Sequence, residues 1–387
     1  MDLLTSAPMN DRATIAKAAA AGLRTFASQP HPTPALIGFD GFVDSIISVV
    51  DKRHSVESFD ALPTIADFGA RISAKAGQSS NYELVTNLEK LGGNGPIMAN
   101  AMAAGGVDVS YVGCLGYPTL HPVFEEFAEI AQTYSCAEPG YTDALEFDDG
   151  KLMLGKYQSV SGLDWDTVEK AVGTDMFAQI VHRSRLIGMT NWTMLNKIES
   201  VYEKIGQLLA EETQGERKYI FVDLADPAKR TPEDIRGVLE LLTRLQAHAN
   251  VVLGLNLSES TQALGVLGLP TPADAEASIE ATAQTLRAAL KIHGCVVHPR
   301  RGAAAAVEVD GQVQTASFLG PFVAKPKLST GAGDNFNAGF CLGLLAGLPV
   351  EQCLCTGVGT SGYYVRNARS PQLAELADFC DHLPPAE

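Results

Sequence analysis

After Pro34 the chain settles into one repeating order: a short apolar run with strand character, then a longer amphipathic stretch. The strand candidates are Ala35–Gly38, Val109–Gly113, Leu186–Met189, Tyr219–Val222, Val251–Leu255 and Cys295–His298. Between them stand helix-like stretches, Pro96–Ala104, Pro122–Gln132, Met194–Glu212, Pro232–Ala247 and Ala273–Lys291. Repeated strand-then-helix order predicts an α/β fold, a doubly wound and mostly parallel sheet with helices on both faces. Ligands of such sheets bind beyond the carboxyl ends of the strands, so residues just past strand ends are the first candidates. The core is affordable: 46% of the 387 residues are apolar and 19% charged, which excludes wholesale disorder.

Two regions break the alternation. Residues 46–91 are long and irregular, with Gly69, Gly77 and the polar stretch Ser79–Asn81. Residues 144–160 hold Asp148-Asp149-Gly150 between two strand-like runs, which reads as a hairpin turn. Neither fits a strand–helix–strand crossover, so both are expected in a small β subdomain on the main sheet. A further hairpin is expected at Val307–Phe318, turning at Asp310-Gly311. Ahead of all this, Asn10–Ala27 reads as an Ala-rich helix, closed by Gln29-Pro30-His31-Pro32-Thr33-Pro34. It is expected as an appended surface helix, dividing the chain into an extension (1–34) and one large domain (35–387).

Acidic residues number 45 against 29 basic ones, a formal charge of −16, which argues against a nucleic-acid surface or an anionic-membrane binder. No run of 18 apolar residues and no basic start with an apolar run suggest a membrane span or a secretory signal. The seven cysteines are odd in number and scattered, which reads as buried thiols in a reducing, cytoplasmic setting. Cys353-x-Cys355 lies in a helical run with no His nearby, so zinc is not expected.

The sharpest motif is Leu328-Ser329-Thr330-Gly331-Ala332-Gly333-Asp334, which opens an apolar helical run from Phe336. Small residues at a helix start leave N–H groups unshielded, and the positive end of the dipole favours an anion. A carboxylate at that spot can accept a proton from a hydroxyl beside the anion, the layout of phosphoryl transfer. The plain alternative is an N-cap Asp after a glycine turn. A second cluster, Gly92-Gly93-Asn94-Gly95-Pro96, precedes an Ala-rich helix and lets a ligand approach the backbone. A third, Asn256-Leu257-Ser258-Glu259, follows the strand Val251–Leu255; its amide and carboxylate could hold phosphate and water-bound Mg²⁺, or simply form a capping box. A fourth, Gly38-Phe39-Asp40-Gly41-Phe42-Val43-Asp44, sets two acids at a strand end, where they suit hydroxyls or a turn. No GxxxxGK[ST] loop occurs, which excludes a P-loop enzyme.

Two glycine-rich signatures in this order, with an NxxE segment between them, resemble the ribokinase-like carbohydrate kinases, also called the phosphofructokinase-B family. The resemblance spans about 35–379, and Thr-Gly-Ala-Gly-Asp followed by Phe-x-Ala-Gly is its most specific part. It implies one large α/β domain with a β-sheet lid built from 46–91 and 144–160. It implies Asp334 as general base, with Gly331, Ala332 and Gly333 as the anion hole for the γ-phosphoryl group. Asp44, Asp40, Gly92, Gly93 and Asn94 would face the sugar. Asn256, Thr330 and Gly302 would serve the nucleotide, and Glu259 would reach Mg²⁺ through water. Such lids often pair, which implies a homodimer through the lid.

Three departures stand out. Leu328 replaces an Asp that helps to bind a monovalent cation, which puts potassium activation in doubt. Ile97 falls where an Asn is usual, and Phe42 replaces a polar residue. The function expected is ATP-dependent phosphorylation of a hydroxymethyl group on a sugar or sugar-like alcohol. The rivals are a nucleoside kinase of the same fold and a non-catalytic sensor.

Overall fold

The computed structural model describes residues 9–212 and 215–386. Among these the strands are β1 Pro34–Phe39, β2 Phe42–Arg53, β3 Phe59–Ala61, β4 Leu84–Gly92, β5 Asp108–Gly113, β6 Gln132–Ser135, β7 Gly140–Phe147, β8 Gly150–Lys156, β9 Leu186–Thr190, β10 Tyr219–Asp223, β11 Asn250–Leu255, β12 Gly294–Val297, β13 Gly302–Val309 and β14 Gln312–Leu319. Nine of them form the main sheet in the order β14-β13-β12-β11-β10-β9-β1-β5-β6. Every pairing in it is parallel except β12 with β13 and β13 with β14. All six expected strands are present, as is the hairpin at Asp310-Gly311, where both turn residues adopt positive φ.

The inner parallel strands are buried on both sides, and their side chains alternate between two cores. In β1 Leu36 joins one core, while Ala35 and Ile37 join the other. In β11 Val251, Leu253 and Leu255 face the first and Val252 the second. The chain leaves β1 for β5 and β6 on one side, then returns to lay β9 and its successors on the other. This reversal opens a crevice at the carboxyl end of β1, where Asp40 emerges.

Three expectations are corrected. The helix Met9–Ala27 is not merely a surface appendage. Its Ala16, Ala19, Ala20, Leu23 and Phe26 are buried in the second core, against the helices Val350–Asn367 and Leu373–Asp381. Its alanines let it approach those helices closely. The stretch Pro122–Gln132 is not one helix but a 3₁₀ turn, a helix at Glu125–Ile130 and the start of edge strand β6. That strand, Gln-Thr-Tyr-Ser, has no apolar run to announce it. The stretch 46–91 is less irregular than its composition suggests: β2 already begins at Phe42 and runs for 12 residues.

β2, β3, β4, β7 and β8 form a separate five-stranded sheet. The β7–β8 hairpin turns where Asp148-Asp149 predicted. One face of this sheet carries Ile47, Val49 and Leu145 and is covered by Phe68 of the helix Ile65–Ser73. The other face carries Asp44, with Lys90 of β4 and Thr142 of β7 as its direct register partners. All seven cysteines are buried and free, and no helix among the described residues is long and apolar enough to cross a membrane.

Candidate active site

Two helix starts meet in the crevice. The first opens the helix Asn94–Ala104, and Asp40 holds it in place. Asp40 is fully buried; one carboxylate oxygen accepts Gly95 N–H at 2.7 Å, the other accepts Asn94 N–H at 2.9 Å and the Asn191 amide at 2.6 Å. Burial pushes its pKa up to about 6 against the pull of these donors. Both oxygens are thus engaged by the protein, which suits an anchor for the glycine turn more directly than a sugar ligand.

Gly92 lies against the Asp44 carboxylate, and a Cβ there would overlap it. A larger residue would push Asp44 off this position, which explains a glycine here on close approach alone. Asp44 is buried; burial raises its pKa, while Lys90 and a hydrogen bond from Thr142 lower it.

The second start opens the helix Ala332–Leu345, capped by Gly331 at φ 89°, a left-handed conformation that favours glycine. Ala332 N–H turns back to the Ser329 carbonyl at 3.2 Å. The following N–H groups, of Gly333 and Asp334, have no acceptor within the helix, being in its first turn. Asp334 sits in that turn, nearly buried, and accepts the Asn94 side-chain amide at 2.8 Å. Burial and then the nearby Asp223 charge hold its pKa well above the usual carboxylate range; the Asn94 bond opposes this.

Asn256 and Glu259 form a complete capping box at the start of the helix Leu257–Val266. Glu259 N–H donates to Asn256 Oδ1 at 3.0 Å, and Asn256 N–H to Glu259 Oε2 at 2.8 Å. The other carboxylate oxygen accepts Asp226 N–H at 2.8 Å. The capping and ligand readings of this segment are compatible: the box fixes a buried carboxylate whose pKa is pushed up to about 7, by burial first and Asp223 second.

A cavity of about 510 Å³ joins these parts: it is lined by Asn94, Asn256, Glu259, Gly302, Gly331, Ala332, Gly333 and Asp334. Thr330 is not in its lining; its carbonyl accepts the Tyr364 hydroxyl at 2.8 Å. Asp40, Asp44, Gly92 and Gly93 stand outside the lining, on the side of the small sheet. Ile97 packs beside Gly331.

Sequence reasoning passed over three groups. Asp223 ends β10, lines the cavity, and accepts Ala225 N–H at 2.8 Å and the Asn337 amide at 2.6 Å. Asn191 follows β9 at φ 56° and holds Asp40. His298 follows β12, lines the cavity and stacks on Phe336 with ring centres 4.5 Å apart. The rule that ligands gather beyond strand ends points to all three. Among the described residues no group of three or more His, Cys, Asp or Glu could by itself hold a metal. Asp223 and Glu259, two acids in one cavity, fit a Mg²⁺ coordinated mainly by phosphates and water.

The family model described as prokaryotic ketohexokinase matches residues 10–383. A ketohexokinase of Haloferax volcanii is 30% identical over 346 residues, covering 89% of this chain and 90% of that protein. The fold matches Arabidopsis thaliana ribokinase complexed with ribose and ATP at a TM-score of 0.61 and 14% identity, over 90% of this chain and 99% of that one. It matches adenosine kinase from Sinorhizobium meliloti at a TM-score of 0.59 and 16% identity, over 92% and 99%. The chain is a ribokinase-like carbohydrate kinase and belongs to the prokaryotic ketohexokinase family.

Proposed function

We propose that the chain transfers the γ-phosphoryl group of ATP to a hydroxymethyl group of a ketohexose. The observation that carries this reading is the contact between the two helix starts, Asn94 to Asp334, in the lining of the cavity. The acceptor would lie between Asp44, Asn94 and Asp334, and the triphosphate would run along the cavity past Gly331, Gly333, Asn256 and Gly302. Asp334, buried and raised in pKa, takes the proton of the attacking hydroxyl. The N–H groups of the first helical turn receive the charge on the moving phosphoryl group. Asp40 positions the Gly93–Asn94 turn from beneath.

Asp223 and Glu259 would hold Mg²⁺ through its water shell, and the ion supplies charge neutralisation on the phosphates. Leu328 offers no carboxylate for a monovalent cation, so turnover in sodium buffer is expected to equal turnover in potassium buffer. Leu88 and Met153, 55% and 46% exposed on the small sheet, support a homodimer through that sheet, which light scattering on the purified chain tests.

The deciding assay is ADP release by the purified chain with Mg²⁺·ATP and D-fructose, D-ribose or adenosine. Turnover is expected with fructose foremost. Turnover with adenosine alone would establish the nucleoside kinase alternative, and no turnover with any acceptor would establish the sensor.

A further inference from the structure

Lys90 is half-buried on the small sheet, and its only part so far is the pull of its charge on Asp44. It is the direct register partner of Asp44 across β2 and β4, and Thr142 is the partner of Asp44 on β7. Directly opposed residues project from the same face, so an ammonium, a carboxylate and a hydroxyl form one row there. That row lies beside the candidate acceptor position. Asp44 lies against Gly92, two residues before Asn94, which bonds Asp334.

Lys90 is also unmatched. Among the described residues its ammonium has no carboxylate within ion-pair distance and no hydrogen bond, and Asp44 and Glu146 act on it only from farther off. The other ammonium of this region, Lys151, is instead paired with Glu146 at 2.8 Å. A partly desolvated ammonium without a partner is unfavourable unless a ligand meets it.

We propose that Lys90 supplies a donor beside Asp44, which the proposed function already sets against the acceptor, for the hydroxyls of the sugar that lie away from the reacting end, Lys90 donating and Asp44 accepting. This rests on the sugar-kinase reading above. Neighbouring hydroxyls each give and take a hydrogen bond, so a fixed donor beside a fixed acceptor matches them. Lys90 is thus a specificity-determining residue, acting on which acceptor binds and not on the transfer itself.

The experiment compares D-fructose with dihydroxyacetone, which keeps the hydroxymethyl-ketone end and lacks the distal hydroxyls. For the full chain, Lys90→Met is expected to cut the ratio of kcat/KM for fructose over dihydroxyacetone by about ten- to a hundredfold, the loss of a charged hydrogen bond. The change is expected in KM for fructose. Lys90→Arg keeps a donor and is expected to retain more of the ratio than Lys90→Met. An unchanged ratio overturns the proposal, as do equal losses in both variants or a change confined to KM for ATP. Melting curves certify the fold, and Lys90→Gln reads the same ratio if the Met variant does not fold. A wild-type chain that phosphorylates no sugar sinks the proposed function itself, whereas an active wild-type with an unchanged ratio sinks only the role of Lys90.

Discussion

Asn94 donates its side-chain amide to the Asp334 carboxylate at 2.8 Å, across 240 positions of sequence. The bond joins the two glycine-rich helix starts and lowers the pKa of Asp334 against the larger effect of burial. Asp334→Asn is expected to lose about 10³-fold or more in kcat while still binding ATP, as befits a lost proton acceptor. Asn94→Ala leaves Asp334 in place but removes the opposing bond, so the Asp334 pKa rises further. The acid limb of the pH–activity profile is then expected to move to higher pH. An unmoved limb would show that Asp334 does not govern it.

The site stores a pH dependence of stability. Asp40 and Glu259 have folded-state pKa values of about 6 and about 7, both above their ordinary values. Their contribution is fully present below the ordinary carboxylate range and is lost as pH rises through about 6 and about 7. The ligand-free chain is therefore expected to melt at a lower temperature at pH 8 than at pH 5.5. Glu259→Gln is expected to flatten this dependence and to reduce activity. Thermal melts across that window check both, and a flat wild-type profile would contradict the raised values.

Gly92→Ala probes the acceptor side alone. The added methyl would overlap the Asp44 carboxylate and displace it. A lost charged hydrogen bond predicts a rise of about tenfold to a hundredfold in KM for the sugar. KM for ATP is expected to stay put, because Gly92 and Asp44 lie outside the nucleotide cavity. Equal rises in both constants would place Asp44 somewhere other than the sugar side.

Much of this was legible because strands and glycine turns announce themselves locally. Each inner parallel strand of the main sheet is a short apolar run, and Gly331–Asp334 carries its own helix-start chemistry in consecutive residues. The parts that stayed hidden depend on distant contacts. Nothing near Asp40 in sequence reveals that Asn191 fills its carboxylate, 151 positions away. β6 is polar because it lies at the sheet edge, so periodicity does not mark it. The alanines of the helix Met9–Ala27 look like a generic helix until the helices near the chain's end are there to receive them. Lys90 is an unremarkable lysine in sequence; the register of β2 against β4 gives it a carboxylate neighbour.

Asp223 shows the same point and carries the last prediction. Its carboxylate is clamped by Ala225 N–H and the Asn337 amide, and its charge raises the pKa of both Glu259 and Asp334. Asp223→Asn keeps a similar shape: its oxygen still accepts Ala225 N–H, and its amide donates to Asn337 Oδ1 once that amide turns over, so the fold is expected to hold. Removing one negative charge lowers the pKa of Asp334, which moves the acid limb of the activity profile to lower pH, opposite to Asn94→Ala. Removing one of two acids near the proposed Mg²⁺ position raises the Mg²⁺ concentration needed for half-maximal activity, by about tenfold for a loss of about 1.4 kcal/mol. A Mg²⁺ titration and a pH profile of the same variant read both effects. If the limb moves and the Mg²⁺ requirement does not, Asp223 tunes Asp334 without serving the metal.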